Sequence, residues 1–567
     1  MIAQPTPLWT AELRKPTSGL DHLGLGSVSS GQILTRLAPG INVLTTHPRY
    51  HAFYAFVLDE FWERDDLARD RPTWRDFFRP KAFIFSVAAN MCDHPDYQGT
   101  FGGIIGSVRT GSLARHPPDS GFVTDYDYIK EPLGGYGLYY RTVMAALGLI
   151  YPSPESGYPL DVPTDRGRDL AALFRDGISG TDYWNRFFDK TNVPAEAVAE
   201  YGNVACPCRL RSALNADREL MRNIMLYGGS ETHASARRAS LRMMSDIAHH
   251  VGGAISQDDF RQLAYFRNTI DGRSWSPSDL PTPDGQWTIR ETSRRWRIYQ
   301  AREFHAYAIN RIWSWLIDWG VDRGGVGRPP KTSDAIDALV NKLSFERLAE
   351  SLGFADPQIT ATTQVDAAER RLRVLAGELE ILPAADAAWT DRPFDLERLN
   401  EWALYEAAAS TDQDVQLTAA IALLLLTHSR FSGSGSTSRP EWTYAQLGGR
   451  SRLSMDQFQR DLARHRRQGS TLGDLAEWLL RTYVIGQHLR VAASKLPFNT
   501  YRFTREGDYL RFVDKPRPVA FNDSRFNAMA FTLVDLGLAG PLGLDEHPLD
   551  EAGTYLRETG DLEGNSP

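Results

Sequence analysis

Gly134-Gly-Tyr-Gly-Leu-Tyr-Tyr-Arg-Thr-Val-Met-Ala-Ala-Leu-Gly-Leu-Ile150, then a loop rich in proline, serine and glycine, then Val162-Pro-Thr-Asp-Arg-Gly-Arg-Asp-Leu-Ala-Ala-Leu-Phe174, set helix, turn and strand signals in one succession. Leu138, Val143, Met144 and Leu147 define a helix that Gly148 ends. Ile150 opens a strand, and the loop turns the chain back toward Val162. Thr164 is placed to cap a second helix, and Gly167 lets that helix approach the strand closely. The expected unit is therefore helix, strand, loop, strand, capped helix.

Working outward, Thr46-His47-Pro48 reads as a helix start, with Thr46 as the cap. Tyr50, Phe53, Tyr54, Val57, Leu58 and Phe61 then follow at three- and four-residue spacing, an amphipathic helix. Downstream, Trp296, Tyr299, Phe304, Tyr307, Trp313, Trp315 and Trp319 form an aromatic stripe at helical spacing, which reads as core. Tyr501 to Phe512 reads as a hairpin turning at Glu506-Gly507-Asp508. Arg525 to Leu538 is a helix whose ending, Leu-Val-Asp-Leu-Gly-Leu-Ala-Gly, echoes Met144-Ala-Ala-Leu-Gly-Leu-Ile150. The expected fold class is mainly α with small β hairpins. The expected segments are an N-terminal helical domain (1–155), the helix–hairpin unit overlapping its end (131–177), and a helical domain with the aromatic helix (178–320). A helical scaffold (321–431), a linker or mobile loop (432–440), an Arg-rich hairpin-containing domain (441–540) and an acidic tail (541–567) complete the chain.

Composition limits the function classes. The 567 residues exceed one core, and 42% hydrophobic with 24% charged residues is ordinary globular usage. The longest apolar run, Leu417 to Leu426 broken only by Thr418, is about half the ~20 residues that span a bilayer, so it reads as a buried helix. No secretory signal opens the chain, and three cysteines (Cys92, Cys206, Cys208) cannot make a disulfide framework, so a cytoplasmic location is expected. A net charge of −8 argues against a globally basic nucleic-acid binder but leaves a local basic face open. Only eight of 63 basic residues are lysine. Arginine suits bidentate phosphate and guanine contacts, although a GC-rich genome produces the same bias.

Several chemistries lack their motifs. There is no phosphate-loop signature for an ATP-driven motor, and no C-x-x-C, H-E-x-x-H or zinc-deaminase pattern. Cys206-Pro207-Cys208 has one intervening residue, and Cys92 with His94 has no matching partner pair, so no metal and no cofactor are expected. What remains is Thr45-Thr-His-Pro-Arg-Tyr-His-Ala-Phe-Tyr54. His47 and His51 lie four apart on one helix face, with Asp59 and Glu60 two to three turns on. Such a block can contact phosphate, or it can be core with hydrogen-bonded histidines. The stretch from Arg460 to Arg467, which also carries Arg464 and Arg466, is the best local basic patch, read as DNA contact or as a solvated, salt-bridged face.

The segment Leu37 to Phe61 resembles an uncharacterised bacterial family that carries a PG-x-x-x-x-T-x-x-x-RY-x-x-F block and whose members look like residents of antiphage defence islands. Cys208 to Gly228 and Trp296 to Asn310 extend that resemblance. The helix–strand–loop–strand–helix unit resembles the recognition helix and wing of winged-helix DNA-binding domains, and Arg525 to Leu538 resembles a degenerate second copy. "INVLTTHPRYH" is more remotely similar to a block of winged-helix DNA glycosylases, though their Gln-x-Gln pair is missing. These resemblances imply embedded winged-helix modules and a DNA-acting, cytoplasmic antiphage protein whose partner is DNA, including modified phage DNA, with no membrane partner. The activity implied first is a metal-independent monofunctional DNA glycosylase that extrudes a nucleotide. Its water-positioning candidates are His47, His51, Asp59 and Glu60, followed by Asp125 and Asp127. Arg49 and Arg141 are candidate phosphate clamps, and Tyr50, Tyr54 or Tyr136 candidate stacking platforms. The alternatives are a non-catalytic DNA-binding sensor or adaptor and a metal-dependent nuclease.

Overall fold

The apolar run behind His47 becomes helix α1 (Arg49–Glu63), and nearly all of its side chains are buried. The computed structural model describes residues 21–97, 99, 101–124, 131–211, 217–324, 329–376, 399–432, 438–513 and 518–563. Helices dominate it, and the strands among the described residues form short antiparallel pairs, so the chain is mainly α with small β hairpins. Two compact units divide it: Met1–Ile33, Arg261–Asn268 and Arg294–Asn522 form one, and Leu34–Phe260, Thr269–Ser293 and Asp523–Pro567 form the other. Each unit draws on three separated stretches and does not follow the linear order of segments read from composition.

In the second unit, α1 is buried from Arg49 through Phe61, its charged and polar side chains included, although its sequence pattern is amphipathic. It starts one position after Pro48, not at a threonine cap: no side chain caps it, and proline's missing N–H removes one unpaired donor of the first turn. Helix α2 (Arg71–Met91) does have a side-chain cap, because the Asp70 carboxylate accepts from the Thr73 N–H at 2.8 Å. The expected helix–hairpin unit forms as α3 (Arg141–Ala146), β1 (Ile150–Tyr151), β2 (Val162–Pro163) and α4 (Asp165–Ile178). Ile150 pairs with Pro163 and Tyr151 with Val162. Helix α4 packs on α1, and α5 (Ala195–Ala205) packs on α2. Helix α6 (Asp217–Tyr227) follows.

The first unit contains most of the long helix α7 (Ile289–Gly324). Its stripe is interior as expected, with Trp296, Trp313, Trp315 and Trp319 all buried. The apolar run at 417–426 lies in α8 (Gln413–Phe431), which is buried from Leu417 through Phe431. No helix among the described residues is long and apolar enough to cross a membrane. Helix α9 (Met455–Arg467) begins at a Ser454 cap that accepts from the Gln457 N–H at 3.1 Å. The expected hairpin forms from β3 (Phe503–Glu506) and β4 (Tyr509–Phe512), with Gly507 at φ +61° in its turn.

The C-terminal stretch returns to the second unit as α10 (Phe526–Asp535) and α11 (Glu551–Thr559). The echo in sequence is an echo in structure. After α3 the Gly148 N–H donates to Ala145 at 3.0 Å and the Leu149 N–H to Met144 at 2.9 Å; after α10, Gly537 donates to Val534 at 3.0 Å and Leu538 to Leu533 at 2.8 Å. Both glycines sit in the left-handed region, at φ +73° and +62°. The chain then leaves, returns, and donates from Thr164 to Leu149 or from Asp550 to Leu538. Three residues into each returning helix stands a glycine against the same carbonyl: a Cβ on Gly167 would lie 2.2 Å from the Leu149 oxygen, and one on Gly553 would lie 1.7 Å from that of Leu538. The acidic tail expected after residue 541 is therefore corrected for its described part, because Leu556 is buried and α11 completes this second copy.

The Gly167→Ala variant is expected to lose about 1–3 kcal/mol of stability, the cost of forcing extra volume against fixed backbone. Gly31→Ala, where an added Cβ meets nothing within 4 Å, is the control. Urea unfolding of both variants checks this, and equal midpoints would contradict the close approach.

Candidate functional site

The block from Thr46 to Tyr54 faces inward, which agrees with its reading as core and not with its reading as a phosphate-contacting surface. His47 and Arg49 are fully buried, and His51, Tyr50 and Tyr54 are at most 2% exposed. His47 Nδ1 lies 2.8 Å from the Asp535 carboxylate, and its Nε2 faces the Gly102 carbonyl. Arg49 donates through Nε to Asp217 at 2.9 Å and through Nη1 to the carbonyls of Val204 and Cys206, the latter at 3.0 Å. The Tyr50 hydroxyl accepts from the Ile105 N–H at 3.0 Å. Tyr54 packs its ring against Tyr140 and Tyr136. Nothing in this arrangement leaves a guanidinium for phosphate or a ring for an extruded base.

The acidic candidates are also enclosed. Asp59 bonds to Arg168 at 3.1 Å and Arg175 at 3.0 Å, and Glu60 bonds to Arg175 at 2.6 Å. Burial raises both carboxyls above their usual range, against the opposing pull of Arg175. They tie α1 to α4 and are no longer free to position water. Tyr136 donates to Asp161 at 2.6 Å, and Arg141 grips the same carboxylate and the Ser153 carbonyl, each at 2.8 Å. That pair fixes the base of the loop between β1 and β2. Asp125 and Asp127 lie outside the described residues.

The basic patch behaves differently. Arg460, Arg464 and Arg467 are exposed at i, i+4 and i+7 on α9, so they share one face. The side chains of Arg460 and Arg464 are 65% and 61% exposed, while their partners Asp456 and Asp461 sit deeper at 6% and 18%. Arg450 and Arg452 are exposed just before the helix. Arg466, in contrast, turns inward to Asp366 and to Glu369 at 3.1 Å, and is structural. The patch expected from Arg460 to Arg467 is thus divided: Arg460, Arg464 and Arg467 share the exposed face, and Arg466 does not.

Two further features were not anticipated. A cleft of about 410 Å³ is lined by Lys81, Asp189, Phe77, Phe188 and Thr124 among others. Lys81 Nζ lies 3.3 Å from the Asp189 carboxylate and 4.0 and 4.4 Å from the ring centres of Phe77 and Phe188. Burial lowers its ammonium to about 8, against the pull of Asp189. The second feature corrects the expectation that no metal ligands meet. Cys92, His94, Cys206 and Cys208 converge, with one ligand atom from each lying within 4.8 Å of all the others. The chain matches no family model, no curated protein and no solved structure.

His51 offers a test of the interior reading. It is wholly enclosed, its Nδ1 has no hydrogen-bond partner among the described residues, and burial lowers its pKa to about 3. Between that value and the ~6.5 of a free imidazole, the unfolded chain binds a proton that the folded chain does not. Stability therefore falls as pH drops from about 6.5 to about 3, by up to ~1.4 kcal/mol per pH unit from this group. Removing the group with His51→Gln is expected to make the acid dependence shallower by about one proton in denaturation followed across that range. Parallel profiles would show that His51 is not held neutral.

Proposed function

We propose that this chain binds DNA through the arginine face of α9 and works as a non-catalytic sensor or adaptor. The observation that carries the reading is the row of Arg460, Arg464 and Arg467: the first two are far more exposed than the carboxylates that pair with them, and Arg467 is exposed beside them. Arg464 is 61% exposed and its pair with Asp461 holds by about 1 kcal/mol or less, so phosphate can exchange for Asp461 at little cost. The deeper Asp456 keeps its bond from Trp442 Nε1 at 2.8 Å when Arg460 turns outward. A helix face of three arginines supplies sequence-independent backbone contacts, which position a protein on a duplex without reading its bases. The paired helix–hairpin–helix copies support winged-helix architecture in the other unit. Their loops carry Glu155 or Asp545 and Glu546 and no arginine or lysine, which suits them better to protein contact than to phosphate. The resemblance to defence-island proteins makes phage DNA the duplex to try.

A triple Arg460→Gln, Arg464→Gln, Arg467→Gln variant is expected to bind DNA more weakly at every sequence tested. Its log affinity against log salt should flatten by about three, one per lost phosphate contact. Fluorescence anisotropy across a salt series measures both, and an unchanged slope would remove α9 from the interface.

A second reading rests on the Lys81 cleft, which is of a size that holds a nucleobase. A lysine amine shifted to about 8 is neutral in a useful fraction near pH 8 and can act as a nucleophile. The Lys81 amine would displace the base at the sugar C1′, the base leaving with a proton. The C1′–O4′ bond would then open to give an imine that water hydrolyses, returning the free amine and an abasic aldehyde. Borohydride reduction in the presence of DNA is expected to trap a covalent adduct that Lys81→Met abolishes. No adduct between pH 7 and 9 would leave the binding reading alone.

A further inference from the structure

Two short clips, Cys92-Asp-His94 and Cys206-Pro-Cys208, stand more than a hundred residues apart in sequence. The first follows the end of α2 and the second follows the end of α5, and these two helices pack side by side. Their C-termini therefore deliver four ligand atoms to one place. Cys92 Sγ lies 3.5 Å from Cys208 Sγ, and Cys206 Sγ lies 3.5 Å from His94 Nδ1. A tetrahedral zinc with bonds of about 2.3 Å to sulfur and 2.0–2.1 Å to nitrogen sets its ligand atoms roughly 3.5–3.8 Å apart. The two short edges match that figure, and the longest separation of 4.8 Å closes with small side-chain rotations.

The surroundings are those of a built site. All three cysteines are buried, packed with Ala89, Tyr97 and Val534. His94 holds φ at +48°, a conformation that L-residues adopt at a cost. Three thiolates and one imidazole around Zn²⁺ leave a net charge of −1, and Arg209 places Nη2 3.6 Å from Cys92 Sγ to offset it.

The Thr46–Tyr50 block, whose role the sequence leaves open, frames this cluster. Phe101 stacks between His94 and His47, with ring centres 4.0 Å and 4.1 Å away. Arg49 holds the carbonyl of Cys206 at 3.0 Å. Tyr50 holds the Ile105 N–H, and Ile104 and Phe101 pack against the cluster.

We propose that Cys92, His94, Cys206 and Cys208 bind one zinc ion as a closed structural centre. Four protein ligands leave no open position, so the ion joins α2 to α5 and does not activate water. Because the ligands are assembled only in the folded chain, binding energy adds to folding energy.

The full-length protein, purified from zinc-supplemented medium and dialysed, is expected to carry about one zinc per chain by elemental mass spectrometry. Cobalt(II) in its place should give the visible bands of a tetrahedral site together with thiolate charge transfer in the near ultraviolet. All three thiols should resist a disulfide reagent until a strong chelator is added, and chelation should lower the melting temperature. Cys92→Ser and Cys206→Ser should lose the zinc. The wild-type measurements stand even if those variants do not fold. A zinc content near zero with no cobalt spectrum, or a Cys92–Cys208 disulfide found by peptide mapping of the native chain, would overturn the proposal.

Discussion

Arg49 is the interaction on which the second unit turns. Its guanidinium lies in the interior, against Asp217 at the start of α6 and the carbonyls that end α5. A single planar group with donors on several edges thus fastens α1 to two other elements at once. Burying a charge is costly, and the cost is offset here because carboxylate and carbonyl partners are all in place. Truncating such a group leaves its partners unpaired, so the damage exceeds the worth of any single bond.

The same device recurs through the chain. Arg237 donates to the Pro39 and Gly228 carbonyls, Arg525 to those of Leu34 and Ala38, and Arg302 to that of Leu453. Arg430 pairs inside the first unit with Glu401. Helix ends leave carbonyls without partners, and an arginine from a neighbouring helix satisfies several of them in one stroke. Lysine, a point charge that loses its proton readily when buried, does this poorly. Part of the arginine excess thus serves the interior, whereas the row on α9 faces outward.

Patterns that depend on neighbours in sequence were legible. The turn at Gly148, the cap at Thr164, the close approach at Gly167 and the hairpin at Gly507 all follow from residues a few positions apart. The apolar run at 417–426 was long enough to read as enclosed on every side. Direction was not legible: Thr46 to Tyr54 mixes histidine, arginine and tyrosine, and composition alone could not say whether that face meets solvent or other helices. Asp217 and Asp535, the partners that draw Arg49 and His47 inward, lie too far along the chain for any local pattern to reveal them. The cysteine cluster did leave a trace, two clips each with a single residue between the ligands. Each looked incomplete because its other half follows a different helix.

The interleaving of the two units has a consequence for the order in which the molecule can be finished. His47 meets a carboxylate 488 residues later, and α10 and α11 belong to the same unit as α1. At ~5–20 residues per second, the ribosome takes roughly half a minute to two minutes to supply that partner. During this interval His47, just ahead of α1, is without that partner, and the rings of Tyr97 and Phe101 lack the Phe531 ring that packs beside them. The stretch that carries α10 thus completes a core whose first members were made long before it.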